Sequence, residues 1–188
     1  LEETGAPYRQ VVLDYASTMK AAPYLAVNPM GKVPAVVHGG QVVTECAAIC
    51  AYLADAFPAA GLAPPTAQRA SYYRWLFFAA GPLEAAVVNR TLGVHPDERQ
   101  QRMVGYGSYE RVVEVLAAAL AGTTYLGGPA FSAADVYVGS HLIWGMQFGT
   151  LPRRAEFEDY AARLTQRPAY QAAKAIDMAL GAELAAPG

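Results

Sequence analysis

The stretch from residue 28 to residue 46 constrains the fold more than any other part of the chain. It runs from Asn28-Pro29-Met30-Gly31-Lys32-Val33-Pro34 through a His38-Gly39-Gly40 turn to Thr44-Glu45-Cys46. This order predicts a loop, a hairpin of two short strands and the first turn of a helix. Pro34 has no N–H for a sheet ladder, so it fits only at the start of an edge strand, where a cis bond could leave the backbone of Val33 open to a ligand. The helix N-terminus that follows is a ready site for a carboxylate, and together these features indicate peptide binding.

Composition narrows the class of protein. The 188 residues are 54% hydrophobic and 16% charged, which is enough for one large domain or two small ones and is not typical of disorder. The net charge is -2 and there is no basic run, so we expect no binding to nucleic acid or acidic lipid. No uninterrupted apolar stretch predicts a membrane span, and the start of the chain has no secretory signal.

The two cysteines, Cys46 and Cys50, are four residues apart. On one helix they would share a face in a poor geometry for a disulfide. Two free thiols suit a reducing cytoplasm, and two cysteines are too few for a structural zinc site. We therefore expect a cytoplasmic protein without a bound metal.

Residues 1–58 alternate short elements, which predicts a small α/β domain. Its expected elements are a strand over Tyr8–Tyr15, a helix over Lys20–Val27, strands over Val33–Val37 and Gln41–Val43, and a helix over Cys46–Phe57. Pro58 ends the last helix, and residues 59–66 have the composition of a linker.

Residues 67–188 predict an all-helical domain. A long apolar helix is expected over residues 67–92, with a kink at Pro82. Ser132 to Asp135 has the pattern of a capping box, with Phe131 and Val136 at the two positions of a hydrophobic staple. The other expected helices are one from Pro96 to Leu120, one over Arg153–Thr165 and one over Pro168–Met178.

The motif of residues 28–46 resembles the glutathione-binding half of cytosolic glutathione transferases, in particular of the bacterial type. The family pattern Asn-Pro-x-Gly-x-Val-Pro, followed after a hairpin by Glu-Ser or Gln-Ser, Ala-Ile and Tyr-Leu, is matched here by Asn28 to Pro34, Glu45-Cys46, Ala48-Ile49 and Tyr52-Leu53. Cys46 departs from the usual serine. The resemblance implies a thioredoxin-like N-terminal domain, here without its first strand, followed by an all-helical C-terminal domain.

The resemblance also implies a glutathione site formed by Lys32, Val33, Glu45 and Cys46. The Val33–Pro34 bond would be cis, and the backbone of Val33 would pair with the cysteinyl part of glutathione. Lys32 would reach the glycine carboxylate, or would be an ordinary solvated lysine. The γ-glutamyl carboxylate would lie on the N–H groups at the helix start, with Glu45 near the ammonium group.

Cys46 has two further interpretations. It is an inert, half-buried thiol, or the helix N-terminus lowers its pKa and makes it reactive. Phe78, Glu84 and Trp144 resemble positions that line the family's electrophile pocket, although an aromatic stripe at helical spacing more often belongs to a core. His38, His95 and His141 form no recognisable metal or base arrangement.

Leu1 to Tyr8 resembles the end of the family's first helix, so we expect the residue that acts on the glutathione thiol to precede Leu1. The predicted function is attack of the glutathione thiolate on a small hydrophobic electrophile by a homodimer. Two alternatives remain open from the sequence. One is glutathione-dependent thiol transfer, peroxidation or isomerisation; the other is a non-catalytic relative that only binds a partner.

Overall fold

The molecule combines a small α/β part with a larger helical part. The computed structural model describes the backbone of residues 1–185 and the side chains of residues 1–182. The α-helices of this part of the chain are α1 (Ala22–Leu25), α2 (Cys46–Ala56), α3 (Ala70–Phe78), α4 (Glu84–Thr91), α5 (Glu98–Gln101), α6 (Tyr109–Leu120), α7 (Ala133–Phe148), α8 (Ala155–Thr165) and α9 (Pro168–Ala185). Across these residues, no helix has both the length and the hydropathy needed to cross a membrane.

The predicted hairpin is confirmed, with bounds shifted by one or two residues. Strands β1 (Ala35–His38) and β2 (Gln41–Thr44) pair antiparallel over their whole length. Gly39 and Gly40 form the turn with φ values of 57° and 78°, a left-handed conformation that glycine adopts without a steric penalty. The tight turn fixes the register of the two strands. Only Glu45 separates the end of β2 from the start of α2.

The predicted strand over Tyr8–Tyr15 is wrong, because residues 6–14 adopt neither strand nor helix. A strand needs a neighbour that accepts and donates its ladder hydrogen bonds, and within residues 1–185 none pairs with this segment. Its apolar side chains are correspondingly open, with Val11 exposed by 62% and Tyr15 by 74%. The helix expected over Lys20–Val27 is reduced to a single 3-10 turn and the short α1.

The segment between the two parts is tied to the helical part rather than free. Within the predicted linker 59–66, Leu62 is only 6% exposed. The N–H of Ala133, the first residue of α7, donates to the carbonyl oxygen of Leu62 at 2.8 Å. The linker therefore helps to fix α2, which precedes it, against α7.

The predicted irregularity at Pro82 is confirmed. Helices α3 and α4 form one helical run through a π-helical turn at Ala79–Leu83. Proline lacks the N–H for the regular i to i−4 bond and its ring clashes with the preceding turn, so the helix widens instead of ending. This turn sets the direction in which α4 begins at Glu84.

The single helix expected from Pro96 to Leu120 is wrong, because the chain forms two helices, α5 and α6, separated by residues 102–108. Gly107 has a φ of 70°, and the hydroxyl of Ser108 accepts from the N–H of Arg111 at 3.1 Å. A left-handed glycine followed by an N-cap serine ends one helix and begins the next.

Helix α7 is the centre of the core. It packs against α2, α3 and α8, and its predicted capping box is present. Helix α8 begins two residues after the predicted Arg153. Helix α9 continues beyond the predicted Met178 to Ala185, because the following residues, apart from Gly181, are good helix formers.

Candidate functional site

The loop before β1 is held in shape by its own side chains. Asn28 is 4% exposed, and its amide donates to the carbonyl oxygen of Lys32 at 2.7 Å while its oxygen accepts from the N–H of Met30 at 3.1 Å. The ammonium group of Lys20 donates to the carbonyl oxygen of Gly31 at 2.6 Å. These bonds fix the turn formed by residues 28–32. Val33, which follows this turn, lies at the surface.

Val33 presents an unpaired stretch of backbone. The Val33–Pro34 bond is cis, as the resemblance to the family implies. Val33 is 45% exposed. Within residues 1–185, neither its N–H nor its carbonyl oxygen hydrogen-bonds another group, so both can pair with an extended ligand.

The N-terminus of α2 is left without a side-chain cap. Its N-cap residue, Glu45, is exposed and has φ 66° and ψ 119°, and its side chain makes no capping hydrogen bond. The first internal bond of α2 runs from Ile49 back to Glu45, so the N–H groups of Cys46 and Ala47 have no backbone partner in the described structure. Together with the helix dipole, these groups can hold an anion.

The environment of the thiols disfavours thiolate chemistry. Burial, and then the negative charges of Glu84 and Glu45, raise the pKa of the Cys46 thiol. Burial also raises the pKa of Cys50 to about 11. Both cysteines are free. A reactive Cys46 would need a lowered pKa, and the shift runs in the opposite direction because burial disfavours the thiolate.

The three residues assigned by resemblance to the electrophile pocket differ in how exposed they are. Phe78 packs against the core, edge-on to Trp75 at 5.1 Å between ring centroids. Glu84 is exposed at the start of α4, near enough to affect the pKa of Cys46. Trp144 lies on α7 and is 63% exposed.

Two further residues near this site were not predicted from the sequence. Burial raises the pKa of Tyr137, and the nearby charges of Glu84 and Cys46 raise it further. The phenol of Tyr137 therefore lies close to the start of α2. His141 lies one helical turn further along α7, with its ring 4.8 Å from that of Tyr137. The sequence did contain a signal for these two residues, because intervals of four residues between them and three more to Trp144 place all three on one face of a helix.

Two partly open cavities lie elsewhere in the described part of the molecule. One of about 160 Å³ lies between α4 and α6, lined in part by Arg90 and Tyr109. The other, of about 180 Å³, lies between α7, α9 and residues 1–3. Neither is lined by Val33 or by the start of α2. Val33 and Glu45 are exposed, and the pairing of Ala35 with Thr44 places them near each other, so we call the surface between Val33 and the start of α2 the groove.

Comparisons with known proteins agree with this geometry. Residues 1–56 match the family model described as the glutathione S-transferase N-terminal domain. Glutathione S-transferase GST-4.5 of Xanthomonas campestris is 32% identical over 160 residues, which are 76% of this chain and 73% of that protein. The chain belongs to the glutathione S-transferase family.

Other members of the family extend the comparison. Glutathione S-transferase 3 of Zea mays is 33% identical over 150 residues, or 72% of this chain and 65% of that protein. A sphingomonad glutathione S-transferase solved in complex with glutathione has a TM-score of 0.74 and 33% identity, covering 98% of this chain and 90% of its own. The resemblance, the fold class and the enzyme class predicted from the sequence are confirmed.

Proposed function

We propose that this protein binds glutathione in the groove between Val33 and the start of α2, and conjugates it to a small hydrophobic electrophile. The observation that carries the proposal is the uncapped α2 N-terminus beside an unpaired stretch of backbone. A tripeptide with a carboxylate at each end matches these two features. The relative solved with glutathione supports the same ligand.

The γ-glutamyl end is assigned to α2. Its carboxylate accepts hydrogen bonds from the N–H groups of Cys46 and Ala47. The ligand carboxylate thus takes the place of the missing side-chain cap. Glu45 lies next to them and is exposed, so its carboxylate can pair with the ligand's ammonium group. The thiol of Cys46 is a weak donor and adds little to the backbone contact.

The cysteinyl and glycine parts are assigned to the preceding loop. The N–H and carbonyl oxygen of Val33 form a two-bond, strand-like pair with the cysteinyl backbone. Lys32 is exposed next to Val33 and can reach the glycine carboxylate. These residues bind and orient glutathione; none of them is assigned the activation of its thiol.

The electrophile is assigned to the side of the groove between α2, α4 and α7, where Glu84 and Trp144 are exposed. In the reaction the glutathione sulfur attacks a carbon atom, a C–S bond forms, and the leaving group departs with its electron pair. Phe78 supports this side from the core.

The proposal includes a cytoplasmic homodimer. Apolar side chains on the outer face of α3 and α4 are open to solvent, and a second copy of the chain would cover them. Their exposed fractions are 41% for Tyr73, 72% for Phe77, 45% for Val88 and 71% for Leu92. The two free thiols suit a reducing compartment. Light scattering tests the dimer, and a monomer at micromolar concentration would contradict it.

A pair of lysine variants tests the orientation of glutathione. Lys32→Ala should weaken glutathione binding by about tenfold in calorimetric titration, because it removes a charged partner of the glycine carboxylate. The same variant should leave binding of γ-glutamylcysteine, which lacks the glycine, unchanged. Lys174→Ala, an exposed lysine on α9, is the matched control and should affect neither ligand.

The outcomes separate the alternatives. A wild-type protein that binds no glutathione contradicts the proposed function. Binding without turnover of any electrophile would favour a non-catalytic member of the family. An equal loss for both peptides in the Lys32 variant would contradict the assigned orientation while leaving glutathione as the ligand.

A further inference from the structure

Four ring-bearing side chains lie in one line along α7. Tyr137, His141, Trp144 and Phe148 are spaced by four, three and four residues, which places them within about 60° of one another around the helix. The rings of Tyr137 and His141 meet edge to face at 4.8 Å, and those of Trp144 and Phe148 at 6.1 Å. We call these four residues the α7 aromatic row.

The row is buried at one end and open at the other. Tyr137 is 8% exposed, whereas Trp144 and Phe148 are 63% and 68% exposed. The buried end lies beside Glu84 and Cys46, which contribute to the raised pKa of Tyr137. The row therefore starts at the proposed glutathione groove and leads outward along α7, offering ring faces and edges to a flat apolar group.

His141 is the member of the row whose ring can both donate and accept a hydrogen bond, whereas the indole N–H of Trp144 can only donate. Within the described residues its side chain makes no hydrogen bond, although it is half-buried and its ring contacts that of Tyr137. Burial lowers the pKa of His141, and no acidic group opposes that shift. A neutral imidazole carries one N–H donor and one acceptor, so His141 can donate to an oxygen atom without itself carrying charge.

We propose that His141 selects the electrophile: it donates a hydrogen bond to an oxygen acceptor, such as a nitro or carbonyl group, on an aromatic substrate whose ring lies along the α7 aromatic row. This inference rests on the proposed function. As the glutathione sulfur bonds to the substrate carbon, the leaving group takes its electron pair and His141 keeps its proton. The residue determines specificity and does not act as a base.

The test compares ligands that differ only in the oxygen acceptor. His141→Phe keeps an aromatic ring and removes both nitrogens, whereas His141→Gln keeps an N–H donor. The ratio of kcat/KM for 4-nitrobenzyl chloride to that for benzyl chloride should fall about three- to tenfold in the Phe variant and recover in part in the Gln variant. The KM for glutathione should stay unchanged, and His95→Phe, at an exposed loop position, should behave as wild type.

A binding measurement gives the same answer without turnover. The affinities of S-(4-nitrobenzyl)glutathione and S-benzylglutathione, measured by calorimetry, should show the same change of ratio in the Phe variant. Equal losses for both ligands, or no loss for either, would overturn the role of His141 while leaving glutathione binding intact. Failure of the wild type to bind glutathione or its conjugates would overturn both this inference and the proposed function.

Discussion

Two helix N-termini in this molecule are built in opposite ways. At α7, Asp135 is fully buried and accepts hydrogen bonds from the N–H of Leu126 at 2.6 Å, the N–H and hydroxyl of Ser132 at 2.9 and 2.7 Å, and the hydroxyl of Tyr160 at 2.6 Å. At α2, the N-cap residue Glu45 is exposed, has a positive φ and caps nothing. One helix start is closed by the protein itself, and the other is left open.

The difference separates structure from function. A closed N-terminus satisfies its own donors, so it stabilises the core and has nothing left to bind a ligand. An open one is tolerated because water can reach its N–H groups, and an anion that replaces the water gains the contribution of the dipole. Glu45 also adopts a left-handed backbone conformation that costs a side chain with a Cβ about 1 kcal/mol.

The largest expected effect is at the closed helix start. Asp135→Asn puts an amide donor where four donors converge, so at least one buried donor loses its acceptor. We expect the free energy of unfolding to fall by about 3–5 kcal/mol in urea titration, with wild-type affinity for glutathione in the protein that remains folded. Tyr160→Phe removes a single bond and is the control. A smaller loss for Asp135→Asn than for Tyr160→Phe would contradict this account of α7.

The open helix start should respond in the opposite sense. Glu45→Gly relieves the left-handed backbone, so the unfolding free energy should stay level or rise by up to about 1 kcal/mol. The same change removes the partner of the ligand's ammonium group, so the Kd for glutathione should rise about tenfold. Glu45→Ala should lose the same affinity without the gain in stability. Equal stabilities for the two variants would show that the backbone at this position is unstrained.

The closed region extends to the start of the chain through an ion pair. The guanidinium of Arg167 donates to both carboxylate oxygens of Glu3 at 2.7 Å and lies 3.4 Å from the ring centroid of Phe131, the residue before the α7 N-cap. Glu3→Gln should lower the unfolding free energy by about 1 kcal/mol, less at high salt. The more exposed pair of Arg153 and Glu158 is the control.

Glu158→Gln should change the unfolding free energy by less than about 0.5 kcal/mol, because both side chains of the Arg153–Glu158 pair are well solvated. Similar effects for the two pairs would mean that burial beside Phe131 adds nothing to the Glu3 pair. The unfolding curves of both variants, recorded at low and high salt, decide between these outcomes.

The smallest expected effect concerns Cys46 at the open helix start. Cys46→Ser replaces a weak donor by a stronger one, so glutathione should bind more tightly by about 0.5–1 kcal/mol. Because the thiol pKa lies above its ordinary value of 9.0, the wild-type thiol should alkylate more slowly than free cysteine at neutral pH and gain reactivity as the pH rises. Fast alkylation at neutral pH, or loss of glutathione binding in the serine variant, would replace the conjugation proposal by thiol chemistry.

Local signals were enough to predict much of the site. The loop of residues 28–34, the glycine turn at residues 39 and 40 and the capping box at Ser132 each depend on neighbours within about four residues. The same holds for the irregularity at Pro82, whose missing N–H acts on its own helical turn. Pattern alone therefore located the hairpin and the starts of α2 and α7.

Other features depend on groups distant in the chain. The apolar run from Tyr8 to Tyr15 has the pattern of a strand, but pattern cannot supply a pairing partner. The break between α5 and α6 could have been predicted from Gly105 and Gly107. The helical periodicity on both sides of these glycines instead favoured one continuous helix. These errors arise where a local preference competes with hydrogen bonds that other segments must provide.

By itself the sequence determined the family, the hairpin after residue 34 and the starts of α2 and α7, because these follow from short motifs with their own hydrogen-bonding requirements. The chemistry of Cys46 was decided only by the tertiary structure, since a helix N-terminus lowers a thiol pKa and burial beside Glu84 raises it. The same packing brings Tyr137 close to Glu84 and Cys46. Burial and proximity are properties of the folded chain, and no spacing along the sequence measures them.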